Sequence, residues 1–352
     1  MKDVPALQAG HGGRMETRKV QKTGTSTITV SLPKDWVTSN GIGPGDQVSM
    51  EVQPDGSLNI EPEMHRTKEV ATTVITVGRD ESNDHITRKL IGAYLAGSTI
   101  IEVRSKERMD LGNKRAIKDF ARLVIGPEII EETANTVVLH DLSDPLELPQ
   151  KKCVRRMHLI VDSMHRDAMV AYADGDIALA NDILERDQDV DRLYWMTVKQ
   201  HALILDDRRL AKRLGVEVHG SLSLLLAARI LERVGDHAEN IAQQAVVVAK
   251  EEKPSTVTEM SALSARAVET LNQAVEAFFR QDVQSANEVI DEARKLAQEG
   301  AEMLPRLQGK GGMGTMSRTA VMDSLMRTMM YSTDIAEIAI NDAMRMELKK
   351  KG

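Results

Sequence analysis

The sequence predicts a multidomain chain, with a small β-rich unit, a small α/β unit, and then two all-α three-helix units in tandem. Three observations carry this. At 352 residues the chain is too long for one small core. Its aromatic content is 3% and it has 19 Met, which with many Ala, Leu and Glu favours helical bundles over sandwiches or barrels. Third, the hydrophobic pattern changes along the chain. Short strands and turns run to about residue 62, strands and helices mix as far as 141, and helical periodicity follows.

The same composition limits the functional classes. A single cysteine, Cys153, cannot form an internal disulfide, which fits a reducing cytoplasm. No apolar run reaches the ~18 residues of a membrane span, so no membrane insertion is expected. Residues 1–13 lack an apolar signal core and read as a flexible tail. With a net charge of −7, any contact with DNA must come from a local basic patch.

The first ordered unit is expected over 14–63. In STITVSLP, Ile28, Val30 and Leu32 alternate with polar residues, as in a half-buried strand. Pro33 opens a short helix, PKDWVTSNG, that stops near Gly41. QVSMEV and LNIEP are strands joined by the turn PDGS. So few core positions make dimerisation the expected route to stability.

Residues 66–145 should form the α/β unit. TTVITVG is a strand, HITRKLIGAYLAG a helix, STIIEVRS a strand, NKRAIKDFARLVIG a helix, and EIIEE and TVVLHD strands. That order makes a layered α/β domain. Its glycines sit at helix ends, their ordinary structural use, and no phosphate-cradling loop is present.

SDPLELP links this unit to the helical part, which repeats. GDIALANDILERDQDVDRL at 175–193 resembles QDVQSANEVIDEARKLAQE at 281–299, with Asp176 on Asp282 and Asn181 on Asn287. Each segment lies between a preceding helix and a long following one, the first over 219–253, the second over 319–350. Two units are expected, 150–253 and 256–350. GKGGMGT at 309–315 reads as the loop before the last helix. Met322, Met326, Met329 and Met330 have helical spacing and read as core filling.

One line of residues does not fit a plain core. Glu232, Asp236 and Asn240 follow at i, i+4 and i+8 beside the apolar face of the long helix. Asp187 and Asp191 stand one turn apart on the helix before it. Facing carboxylates repel, so a cation or water must lie between them. Oxygen-rich clusters on facing bundle helices bind divalent or ferric ions, and Asn240 or His237 could complete the shell. The plainer alternative is a solvated stripe neutralised by Arg186, Arg192 and Arg233. His237, taken alone, reads as a hydrogen-bonded structural residue. The second repeat replaces Asp187, Asp191 and Glu232 with Ala293, Ala297 and Met330 and keeps Asp334, so an equivalent cluster is not expected there.

A basic patch marks the first unit. Arg14, Arg18, Lys19, Lys22 and Lys34 face a single acid, Glu16. A two-fold dimer would double this patch along a DNA backbone; an ordinary solvated strand is the alternative.

RKVQKTGTSTITVSLPKDWVTSNGIGPGDQVSMEVQPDGSLNIEP resembles an AbrB-type swapped-hairpin domain, a resemblance that implies an interleaved dimer binding DNA. LERVGDHAENIA, with GDIALANDILERDQDVDRL upstream, resembles the PhoU family, which implies two three-helix bundles in tandem and a role in phosphate uptake. It also implies a metal motif of an acid followed four residues later by Asp. This maps onto Asp187 with Asp191 and Glu232 with Asp236, for iron, zinc or manganese. The expected protein is a cytoplasmic homodimer, not an enzyme. It would regulate phosphate uptake by binding DNA through its first unit and a phosphate transporter or signalling protein through its helical domain. Two alternatives are a non-DNA-binding module that restrains the transporter, and a carboxylate-bridged redox enzyme. The missing Glu-x-x-His motif counts against the enzyme.

Overall fold

The computed structural model describes residues 16–53, 56–62, 70–79, 81–248, 256–307 and 312–351. The expected tail over 1–13, Arg14, and the end of the helix expected over 219–253 lie outside the described residues. The chain divides into two compact units, Met1–Glu69 and Val70–Gly352.

The first unit holds two hairpins. β1 (Gln21–Thr23) pairs antiparallel with β2 (Thr27–Thr29), and β3 (Val48–Val52) with β4 (Leu58–Pro62). Between them lies α1 (Lys34–Ser39), entered through Pro33. The expected half-buried strand is corrected here. β2 is only three residues long, and Ile28 and Val30 are 71% and 47% exposed. Its alternation finds no buried layer among the described residues of this unit. No described residue of this unit is buried.

The second unit begins with a four-stranded sheet. β5 (Thr72–Val77), α2 (Asn83–Leu95), β6 (Ile100–Ser105), α3 (Leu111–Leu123), β7 (Pro127–Glu132) and β8 (Thr136–Asp141) follow in order. The strand order is β5-β6-β8-β7, with β5 and β6 parallel and the other pairs antiparallel. Ser82 and Asp110 cap α2 and α3 by accepting from the backbone N–H of His85 and Asn113. Ile75, Val77, Ile101, Val103, Val137 and Leu139 form a core with the buried faces of α2 and α3.

Helices make up the rest. α4 (Gln150–Asp174), α5 (Ile177–Asp206) and α7 (Val218–Val247) form one three-helix unit, with a short α6 (Arg208–Arg213) between the last two. α8 (Thr256–Arg280), α9 (Val283–Leu307) and α10 (Met313–Lys351) form the next. α10 starts inside the segment expected as a glycine-rich loop, taking Met313–Thr315 as its first residues. One continuous core joins both bundles. Met322 and Met329 are fully buried in it and Met326 packs against it. Met330 is a correction: it is 56% exposed, because one step from Met329 turns it to the outer face.

The last turns of α5 seat the sheet domain. Gly97 ends α2 with φ +80°, and a Cβ there would fall 2.7 Å from Leu203 Cδ2. Lys199 of α5, itself buried, pairs with half-buried Asp141 at the end of β8. Its ammonium lies 3.2 Å from Ser143 Oγ and 4.4 Å from the centre of the Tyr94 ring.

Candidate functional site

The acid line becomes a seam between α5 and α7. Glycine at 235 lets α5 approach closely, since a Cβ there would stand 3.1 Å from Asp187 Oδ1. Asp187 and Asp191 thus face Glu232 and Asp236. Burial, with Asp191 beside it, pushes Asp187 up to about 7. Burial, then the charge of Asp236, pushes Asp191 up to about 6 and Glu232 up to about 7. Burial also raises Asp236. These directions follow from packing like charges in a poorly solvated place.

Of the arginines expected to neutralise the seam, Arg233 acts on it, while Arg186 and Arg192 pair elsewhere. Arg186 turns to Asp167 at 2.8 Å and Asp182 at 2.9 Å, and Arg192 lies nearest Asp189 at 3.7 Å. Arg229 instead donates to Glu232 Oε1 at 2.8 Å. Glu232 Oε2 is buried with no hydrogen-bond partner. Arg233 acts on Glu232 and Asp236 by charge alone. Glu239, overlooked in the sequence, adds to the field that raises Asp187 and Asp191.

Asn240 and His237 leave the seam. Asn240 donates from Nδ2 to Ser324 Oγ at 2.9 Å, and His237 Nδ1 lies 3.2 Å from the same hydroxyl. The His237 ring is tilted against Tyr331 with centroids 5.7 Å apart. Both side chains therefore tie α7 to α10. In the second repeat Ala293 is buried, Met330 is exposed, and Asp334 is raised by burial and by Glu337.

The seam offers oxygen donors alone, the chemistry that hard cations take: four carboxylates, three of them raised to about 6 or 7, and one orphaned carboxylate oxygen. Among the described residues, no three His, Cys, Asp or Glu side chains converge closely enough to hold a metal ion as they stand.

The second candidate surface lies on the first unit. Arg18, Lys19, Lys22 and Lys34 are all exposed; Lys22 is on β1 and Lys34 opens α1. Arg18 is paired with Glu16, the one acid of the stretch. Val20, Met50, Val52 and Leu58 are exposed in the same unit.

Comparison with known proteins agrees with this division. Residues 154–245 match the family described as PhoU domain, and residues 21–68 match the family described as antidote-toxin recognition MazE, bacterial antitoxin. A phosphate-specific transport system accessory protein PhoU homolog from Pseudomonas aeruginosa is 27% identical over 154 residues, 43% of this chain and 61% of that protein. Its counterpart from Deinococcus radiodurans is 31% identical over 121 residues, 32% of this chain and 53% of that protein. The chain thus spans between half and two thirds of the curated relatives it matches. The crystal structure of PhoU from Pseudomonas aeruginosa shares the fold, with a TM-score of 0.50 and 21% identity over 55% of this chain and 95% of that one. No helix among the described residues is long and apolar enough to cross a membrane. The chain carries a PhoU domain in its helical part and a MazE/AbrB-like domain at its N-terminal end.

Proposed function

We propose that this protein is a cytoplasmic, dimeric regulator of phosphate uptake that binds DNA through its first unit. The observation that carries the reading is the joining of a PhoU domain to a MazE/AbrB-like domain in one chain. Exposed Lys19, Lys22 and Lys34 supply phosphate-facing cations, to which Arg14 and Arg18 add. The apolar residues that one copy leaves in solvent supply a reason to pair. The helical domain engages a phosphate transporter or its signalling partner, and what it senses biases the paired DNA-binding units. Such coupling requires different partner affinities in two states. This reading assigns the chain no catalytic role.

Asp187, Asp191, Glu232 and Asp236 are the residues that would hold a divalent or ferric ion. The ion would neutralise repelling carboxylates and so fix α5 against α7. Asn240 is not part of this proposal, since its amide is engaged by Ser324.

The test is DNA binding by the purified chain at low and high salt, against the promoter of a phosphate transporter and against unrelated DNA. Promoter preference that weakens with salt is expected. Lys19→Ala with Lys22→Ala should weaken binding to all sequences and reduce the salt dependence. Equal weak binding to both DNAs would overturn the reading. It would leave an interaction module that restrains the transporter, with the first unit acting only in pairing.

A further inference from the structure

One end of the helical bundle combines a cluster of cations with exposed aliphatic side chains. Four helices define this end. Gln150 Nε2 donates to the carbonyls of Thr197 at 3.0 Å and Ser221 at 3.5 Å, and Ser223 Oγ donates to Asp342 at 2.8 Å. The start of α4, the late turns of α5, the first turns of α7 and the last turns of α10 therefore meet here. α6 leaves α5 at this end with Arg208, Arg209, Lys212 and Arg213, all exposed. α10 brings Arg345, Lys349 and Lys350, and Lys349 pairs with Glu217 just before α7. Across α5's last residues, α6, the start of α7 and the end of α10, these seven cations stand against four exposed acids, Asp206, Asp207, Glu217 and Glu347. The local excess is positive in a chain whose net charge is −7.

Apolar side chains fringe the cations. Leu205, one turn before α6, is 57% exposed, and Leu348 near the end of α10 is 74% exposed. Val218, Leu222 and Leu226, spaced i, i+4 and i+8, form an exposed line on α7. These side chains stay in solvent although each belongs to a helix whose other residues are buried in the core.

We infer that this end of the bundle docks peripherally on an anionic membrane surface. Lysine and arginine are drawn to anionic headgroups, and leucine and valine beside them enter the boundary between headgroup and acyl chain. Nucleic acid would use the cations but leave the leucines in water, since such interfaces are polar and strongly cationic. The inference is independent of the phosphate reading, because it concerns only charge and apolar exposure on the bundle.

The full chain is to be sedimented with vesicles of phosphatidylcholine alone and of phosphatidylcholine mixed with phosphatidylglycerol, at two salt concentrations. It should pellet with the mixed vesicles, less so at high salt, and not with the neutral ones. Reversing α6, by Arg208→Glu, Lys212→Glu and Arg213→Glu together, should weaken binding roughly ten-fold or more. Leu205→Ser with Leu348→Ser should also weaken it. Lys19→Glu with Lys22→Glu should leave it unchanged, which separates this surface from the first unit. All these positions are exposed, and circular dichroism checks that the helices persist. Absence of pelleting with anionic vesicles would overturn the inference, as would loss only in the Lys19/Lys22 variant. Vesicle binding insensitive to the leucines but displaced by duplex DNA would make this end a nucleic-acid surface instead.

Discussion

Asp187 and Glu232 titrate near neutrality because the fold places them against other carboxylates with little water. Their raised values mean that the folded state holds protons the unfolded chain has already released. Stability from these groups is therefore present at low pH and lost as pH rises through about 7. Buried His165 works in the opposite direction, since burial lowers it to about 4 and its contribution is lost as pH falls below its ordinary value. The clean window lies above that ordinary value, roughly pH 6.5 to 8. In a chelator, the melting temperature should fall across this window, and Asp187→Asn with Glu232→Gln should flatten the fall. Added manganese or zinc should raise the melting temperature at the upper end and do less in that variant. An identical pH slope in variant and native chain would remove the seam as its cause. The acid pairs were legible because four residues return to nearly the same helix face. Asn240, eight residues from Glu232, is rotated roughly 80° from it and donates to Ser324 of α10. Glu239, seven residues on, is only roughly 20° away, and it acts on the seam.

The elements show where periodicity stops being informative. α2 and α3 were expected over 85–97 and 113–126 and begin two residues earlier, because Ser82 and Asp110 supply caps ahead of the apolar residues. α6 was missed because six residues are too few to show a period. β1 and β2 are three residues each and pair through a tight turn at Gly24. The helical repeat was legible from Asp176 and Asp282, both of which accept hydrogen bonds from the backbone at the helix start that follows. Just before them the two repeats differ. Gly175 ends α4 at φ +72°, and its counterpart Gln281 adopts φ +54° after α8. A side chain in that region costs roughly 1–2 kcal/mol. Gln281→Gly should thus stabilise the protein, by about 0.5–1 kcal/mol once the greater freedom of the unfolded glycine is subtracted. Chemical denaturation measures this. A destabilised variant would show that the Gln281 side chain supplies a compensating contact.

At the scale of the molecule, the sheet domain and the bundles are joined by chemistry the sequence does not show, because Asp141 and Lys199 are remote along the chain. Their side chains are 8% and 4% exposed, so removing one leaves the other's charge buried without its counter-charge. Lys199→Met should cost about 3–5 kcal/mol, and Lys199→Met with Asp141→Leu should recover part of that. A loss below 1 kcal/mol in urea denaturation would mean that water reaches the pair. The first unit poses a different problem. It was legible as two short hairpins and a helix, but not as a unit without a buried residue among those described. The alternation of Ile28 and Val30 promises a core that the described residues of this unit do not build. Val52 and Leu58, facing each other across β3 and β4, are likewise exposed. Covering these side chains is worth roughly 25 cal/mol for each Å² removed from water, and a second copy offers a matching set by symmetry. The native chain should therefore be a dimer by light scattering. Ile28→Ser with Val52→Ser should shift it toward monomer at low concentration while the helical circular dichroism of the second unit persists. A variant that stays dimeric would move the contact to the helical bundles, and the exposed face of the first unit would then need a partner other than its own copy.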